Sequence, residues 1–221
     1  MEIPILKTRE NEVTIPVGKI FLEGELIIPE NAIGLVLFSH GSGSSRFSPR
    51  NNMVAEILRK KRIGTLLFDL LTIGEDTIYA SRFDIELLSH RLIEATKWVK
   101  KQEACKNLDI GYFGASTGAA SALNAAAELG DLVKAVVSRG GRPDLSLDHL
   151  EKVKAPVLLI VGGNDEPVIS MNKMAFNKLK CEKELKIIPG ATHLFEEEGK
   201  LAEVAKISAN WFQTYFQKAY N

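Results

Sequence analysis

Apolar runs of strand length alternate with segments of helical period along most of this chain, the trace that a mostly parallel sheet covered by helices on both faces leaves in a sequence. Buried strands are read at Ile33 to Ser39, Ile63 to Asp69, Asp109 to Phe113, Leu132 to Ser138, Pro156 to Val161 and Glu184 to Ile188. Helices are read between them, at Pro49 to Lys61, Phe83 to Glu103, Ser116 to Leu129, Met171 to Lys180 and Leu201 to Tyr220. The beginning differs: Val13 to Val17 and Lys19 to Ile28 flank Gly18, the pattern of an antiparallel hairpin feeding into the sheet.

Nothing in the composition competes with this α/β reading. The 221 residues fit one domain spanning 1–221, and no repeat or low-complexity linker divides them. Lys plus Arg and Asp plus Glu both number 28, so there is no net positive charge to support a nucleic-acid or anionic-membrane partner. Cys105 and Cys181 stand apart with no Cys-x-x-Cys or Cys/His cluster, which fits a reducing compartment and implies neither metal nor cofactor. The first residues lack the basic and apolar regions of a signal peptide, and no apolar run approaches the length of a membrane span. The expectation is a soluble cytoplasmic protein, monomer or homodimer.

The sharpest local feature is Gly114-Ala115-Ser116-Thr117-Gly118, a Gly-x-Ser-x-Gly that ends one strand and opens an Ala-rich helix. A serine there sits on a tight strand-to-helix turn, and the flanking glycines let strand and helix backbones approach. The helix N-terminus also points backbone N–H groups at the site, which favours a developing oxyanion.

Two partners follow in the chain order serine, acid, histidine. Asp165, in Gly162-Gly163-Asn164-Asp165-Glu166-Pro167, comes directly after a strand, where side chains face the ligand crevice of an open α/β sheet. Glu166 and Asp69 are the alternative acids. His193 lies in the loop after the last strand and is the candidate base. His90 and His149 fall in helical segments, and His40 ends a strand, where a backbone turn is the more ordinary need. Intervals of 49 and 28 residues leave room for a strand, helix and strand, then a helix and strand.

Acyl transfer also needs N–H donors aimed at the oxyanion. Thr117, following the serine, supplies one candidate, and Ser42 in His40-Gly41-Ser42-Gly43-Ser44-Ser45-Arg46 the other.

With these motifs the chain resembles the α/β-hydrolases, and within them the dienelactone hydrolase-like group of small enzymes. The likeness runs from His40-Gly41-Ser42-Gly43 through Gly114-Ala115-Ser116-Thr117-Gly118 and Asp165 to His193. It implies an eight-stranded, mostly parallel sheet and a Ser116–His193–Asp165 triad. Dienelactone hydrolases proper carry cysteine at the nucleophile position and this chain carries Ser116, so the resemblance implies a hydrolase of small carboxylic esters, with thioesters or lactones close behind. The alternative is a non-catalytic protein that binds a small molecule on the same fold.

Only 17 residues, Arg139 to Ala155, separate two strands between which many α/β-hydrolases insert a lid, so little or no lid is expected. Arg46, Arg139 and Arg142 follow strand ends and are candidates for holding a carboxylate or phosphate on the substrate, with Arg82 weaker. The alternative for each is a salt bridge to Asp or Glu, or solvent. Glu196-Glu197-Glu198 reads as an acidic lead-in to the last helix, without chemistry.

Overall fold

A computed structural model describes residues 8–217. Eight strands among them form one sheet: β1 (Thr8–Val17), β2 (Ile20–Pro29), β3 (Gly34–Ser39), β4 (Ile63–Phe68), β5 (Asp109–Ala115), β6 (Val133–Arg139), β7 (Val157–Gly162) and β8 (Lys183–Ile188), in the order β1-β2-β4-β3-β5-β6-β7-β8. The pairs β1–β2 and β2–β4 are antiparallel, and every pair from β3 and β4 onward is parallel. The expected hairpin is therefore β1–β2, with Gly18 at φ 60° taking its turn. Six α-helices among the described residues accompany the sheet: α1 (Pro49–Lys60), α2 (Ile73–Asp76), α3 (Ile85–Val99), α4 (Thr117–Leu129), α5 (Glu166–Lys178) and α6 (Lys200–Gln217).

Strands β3, β4 and β7 are buried at all six positions, which is why they read as unbroken apolar runs rather than alternations. Successive side chains still point to opposite faces. Leu35 and Leu37 join Leu66, Tyr112 and Leu123 in a core on the side of α3 and α4. Val36 and Phe38 join Phe113, Leu158, Phe212 and Phe216 in a second core on the side of α1 and α6. Full burial of each such side chain contributes about 1.5–3 kcal/mol.

The chain runs from β3 outward to β4, then returns to the other side of β3 with β5. The carboxyl ends of β3 and β5 thus meet where the winding direction reverses, the place where open α/β sheets form a ligand crevice.

Three elements differ from the sequence reading. Helix α3 is shorter than Phe83 to Glu103: Asp84 caps it, accepting from the Leu87 N–H at 2.9 Å, and the chain leaves the helix after Val99. Helix α5 begins at Glu166 rather than near Met171, because Pro167 occupies the first turn, where a missing N–H costs nothing. The segment read as a loop before Arg82 holds the single turn α2, closed by a reciprocal Thr72–Glu75 capping box. Between β6 and β7 lie two short 3-10 turns, Pro143–Ser146 and Leu150–Lys152, and no lid domain. No helix among the described residues is long and apolar enough to cross a membrane.

Candidate active site

Ser116 stands between β5 and α4 at φ 51°, ψ −123°, a conformation that costs a non-glycine residue about 1–3 kcal/mol. The surroundings hold it there. Its N–H donates to Arg139 O at 3.2 Å, and its carbonyl accepts from Arg142 N at 3.0 Å and Ala119 N at 3.1 Å. The two motif glycines make the turn sterically possible. A Cβ on Gly114 would lie 2.5 Å from Ala119 Cα, and one on Gly118 would lie 2.5 Å from His40 O.

Asp165 and His193 come from loops stitched to each other. Gly163 N–H donates to Ile188 O at 2.8 Å and Asn164 N–H to Ala191 O at 2.9 Å, directly ahead of the two side chains. His193 Nδ1 then meets Asp165 Oδ2 at 2.7 Å, with the carboxylate more buried than the ring. An ionised carboxylate only accepts, so Nδ1 carries the proton and Nε2 is left as the basic nitrogen. Gly140, at φ 52°, packs against the backbone of the histidine: a Cβ there would lie 3.0 Å from His193 O. Of the alternative acids, Asp69 is paired with Arg46 and Glu166 opens α5. His90 and His149 line a separate groove with Glu86 and Lys152.

Ser116 and His193 are walls of one cavity of about 250 Å³, which also exposes Ser42, Arg50, Asn51 and Arg139. Among the described residues the serine and the ring share this cavity without a direct hydrogen bond, a common arrangement before substrate draws such groups together.

The two expected oxyanion donors are differently occupied. Thr117 is the first residue of α4, where an N–H has no acceptor within the helix. The Ser42 N–H instead donates to Thr117 Oγ1 at 2.8 Å, so the loop after β3 is tied to the first turn of α4. Gly41 lies against the nucleophile: a Cβ on it would be 3.0 Å from Ser116 Cβ. Behind this loop, His40 Nδ1 faces Gly41 O at 3.1 Å and its Nε2 accepts from the Leu70 N–H at 3.2 Å. Burial lowers the His40 pKa, against weaker opposing contributions from Gly41, Asp69 and Asp76, so the ring is held neutral as a strut.

The three arginines separate. Arg46 donates through both its backbone N–H and its guanidinium to Asp69, and Arg142 makes a bidentate pair with Asp144 at 2.9 and 2.8 Å. These two take the salt-bridge alternative and are not among the residues that line the cavity. Arg82 likewise pairs with Asp76 at 3.0 Å. Arg139 does line it, only 6% exposed, with Nη2 donating to Asn51 Oδ1 at 3.3 Å. Burial, then the neighbouring Arg50 charge, pushes its pKa down to about 10, which leaves it charged at neutral pH.

Sequence reasoning missed Arg50 and Asn51, which enter the site from the first turn of α1, 88 residues from Arg139 in the case of Asn51. The glutamates after the histidine also have a use: Glu197 accepts from the Thr192 N–H at 3.0 Å and Glu196 pairs with Arg50 at 2.9 Å, bracing the His193 loop.

Comparison with known proteins concerns the chain as a whole. The family model described as "Dienelactone hydrolase family" matches residues 75–219. A crystal structure of dienelactone hydrolase from Anabaena variabilis is 53% identical, with TM-score 0.92 over 94% of this chain and 98% of that one. Est1E from Butyrivibrio proteoclasticus shares the fold at 18% identity, with TM-score 0.81 over 93% of this chain and 99% of that one. A Mycobacterium tuberculosis protein named "Putative phosphoribosyl transferase Rv0571c" is 52% identical over 92% of this chain. The chain spans 46% of that protein's length.

Proposed function

The chain belongs to the dienelactone hydrolase family, and from that we propose that it hydrolyses small carboxylic esters through an acyl-enzyme on Ser116. The observation that carries this reading is the 2.7 Å Asp165–His193 bond opening onto the same small cavity as a serine held on a strained turn. Membership supports a hydrolase; the serine chemistry and the ester class rest on these residues.

In the proposed reaction the Ser116 Oγ–H gives its proton to His193 Nε2 as Oγ bonds to the acyl carbon. Asp165 fixes the ring's tautomer and stabilises the imidazolium. Negative charge on the carbonyl oxygen falls to the Thr117 N–H and to Ser42, whose N–H turns from the Thr117 hydroxyl to the oxyanion. The carbon–oxygen bond to the alcohol then breaks, and the alkoxide leaves with the proton from His193. Water loses a proton to His193 and attacks the acyl-enzyme, releasing the acid and restoring Ser116. The absence of a lid domain between β6 and β7 favours small or protruding esters over long buried chains.

The phosphoribosyl transferase name belongs to proteins about twice as long, and its activity is not carried to this chain.

The test is covalent labelling with a fluorophosphonate, with peptide mapping of the wild type and Ser116→Ala, followed by assays on short-chain esters. An adduct confined to Ser116 and turnover lost in Ser116→Ala are expected. A folded protein that takes no label and turns over no ester would overturn the reading in favour of a non-catalytic binder.

A further inference from the structure

Helix α5 buries three positions, Val168, Asn172 and Ala175, four and three residues apart along one face. The middle one is polar. Asn172 is fully buried, and its Oδ1 has no protein donor. An acceptor left this way is costly, and an apolar side chain would fill the position without that cost. What the amide contributes is its donor end: Nδ2 donates to Val168 O at 2.8 Å and to Gly141 O at 3.0 Å. The first bond stays within α5. The second leaves the helix and joins residues 31 apart in the chain.

Its acceptor belongs to the nucleophile's surroundings. The Gly141 carbonyl and the Arg142 N–H are the two ends of one planar peptide group, and that N–H donates to the Ser116 carbonyl at 3.0 Å. Asn172 is thus the outer end of a hydrogen-bonded row that runs through this peptide to Ser116, and in such a row each bond polarises the next. Gly141 has little room to shift, since a Cβ on it would lie 2.5 Å from Ala119 Cβ in the first turn of α4. On the other side, α5 departs from Asp165: Ile169 N–H donates to Asp165 O at 2.9 Å, and Asn172 stands about two turns further on. The Gly163–Ile188 and Asn164–Ala191 bonds register acid and base against each other. The Asn172–Gly141 bond registers the acid's helix against the nucleophile's turn.

We propose that Asn172 is a positioning residue, holding the Asp165–His193 pair at its working distance from Ser116 by tying α5 to the peptide that grips the nucleophile. The inference rests on the ester-hydrolase reading and adds to it a residue that is not among the walls of the cavity. Ser116 and His193 have no direct hydrogen bond among the described residues, so the elements that carry them set their separation. A small misplacement between such elements is felt in full at the proton transfer. An apolar side chain could pack at position 172, but it could not hold the Gly141 carbonyl in one orientation.

The test compares wild type, Asn172→Leu and Asn172→Ser on a short-chain para-nitrophenyl ester, each also in the Asp165→Asn background. Asn172→Leu keeps the volume and loses both bonds. Asn172→Ser keeps a hydroxyl that reaches Val168 O, four residues back, and falls short of Gly141 O. It separates the helix bond from the crossing bond, and it carries the same expectation should the leucine variant fail to fold. Both are expected to lower kcat by about ten- to a hundredfold with KM within about twofold of wild type. Fluorophosphonate labelling of Ser116 slows by the same factor. The low-field proton resonance of His193 Nδ1–H stays at its wild-type position, because the bond to Asp165 is intact. In the Asp165→Asn background, where the base has lost its tautomer, the same substitutions are expected to cost less than about twofold.

Wild-type kcat in either variant would overturn the proposal. So would a loss that multiplies in full with that of Asp165→Asn, or a displaced His193 resonance, since either makes Asn172 a support of the fold at large. The hydrolase reading fails separately. A folded wild type that takes no label and turns over no ester discards both, leaving Asn172 nothing to position, whereas turnover by wild type with Asn172→Leu unaffected discards the positioning role alone.

Discussion

The Ser42 N–H donates to Thr117 Oγ1 at 2.8 Å, joining the glycine-rich loop after β3 to the first turn of α4 beside Ser116. The tie spends this N–H on the Thr117 hydroxyl in the free protein, but it fixes the loop that carries the donor beside Ser116, so the donor starts close to the place where charge develops. Thr117→Val removes the acceptor and is expected to lower kcat on the order of tenfold with little change in KM, while Thr117→Ser restores it. Steady-state kinetics check this, and a valine variant at wild-type kcat would show that the tie positions nothing.

Asp165 accepts from His193 and is the more buried of the two. Asp165→Asn preserves the shape but favours the wrong tautomer, so kcat is expected to fall on the order of 10⁴-fold with little change in the melting temperature. Activity within tenfold of wild type would shift the acid's role to another residue.

The strain at Ser116 should be measurable as stability. At φ 51°, ψ −123°, glycine is at ease where serine and alanine are not. Ser116→Gly is therefore expected to be more stable than Ser116→Ala by about 1 kcal/mol, after allowing for glycine's extra freedom in the unfolded chain. Equal urea midpoints for the two inactive variants would mean that the turn is not strained.

Gly118 faces backbone, not a flexible side chain. A Cβ there would lie 2.5 Å from His40 O, and neither β3 nor α4 can retreat without disturbing the core. Gly118→Ala is expected to cost about 3 kcal/mol or more, or to leave the protein insoluble. A melting temperature close to wild type would show that the helix start can shift.

His40 gives stability a pH dependence of known sign. Burial lowers its folded pKa from the ordinary imidazole value of 6.5, so below that pH the unfolded chain binds a proton that the folded chain resists. The resulting stability is complete above about pH 6.5 and is lost as pH falls through that value, with a slope approaching about 1.4 kcal/mol per pH unit. His40→Gln should flatten this part of the curve between pH 7 and 5. Parallel curves for the two proteins would mean that His40 stays neutral in both states.

The sheet was legible because burial on both faces writes β3, β4 and β7 as continuous apolar runs, while their spatial order depends on packing that no local pattern encodes. Ser116, Asp165 and His193 could be picked out as candidates because each follows the carboxyl end of a strand, where side chains of an open α/β sheet face the crevice. The arginines were not. Arg142 finds Asp144 two residues on, but Arg46 finds Asp69 across 23 residues, and nothing near Arg139 in sequence shows that it lacks a partner. Helix α5 was read five residues short because Glu166-Pro167 looks like a turn until the first helical turn is seen to accommodate proline.

The connection between β6 and β7 divides into two parts with different obligations. Up to Ser146 it is anchored: Arg142 N–H holds the Ser116 carbonyl, and Ser146 Oγ donates to Ala120 O at 2.8 Å. From Leu147 to His149 it bridges two single turns, and His149 faces the groove it shares with His90 instead of the cavity. Extra residues admitted there would leave the strand ladders and the walls of the cavity untouched. The scaffold is thus open to change by length as well as by substitution: a longer bridge would remodel the second groove, with the nucleophile, base and buried cation left as they are.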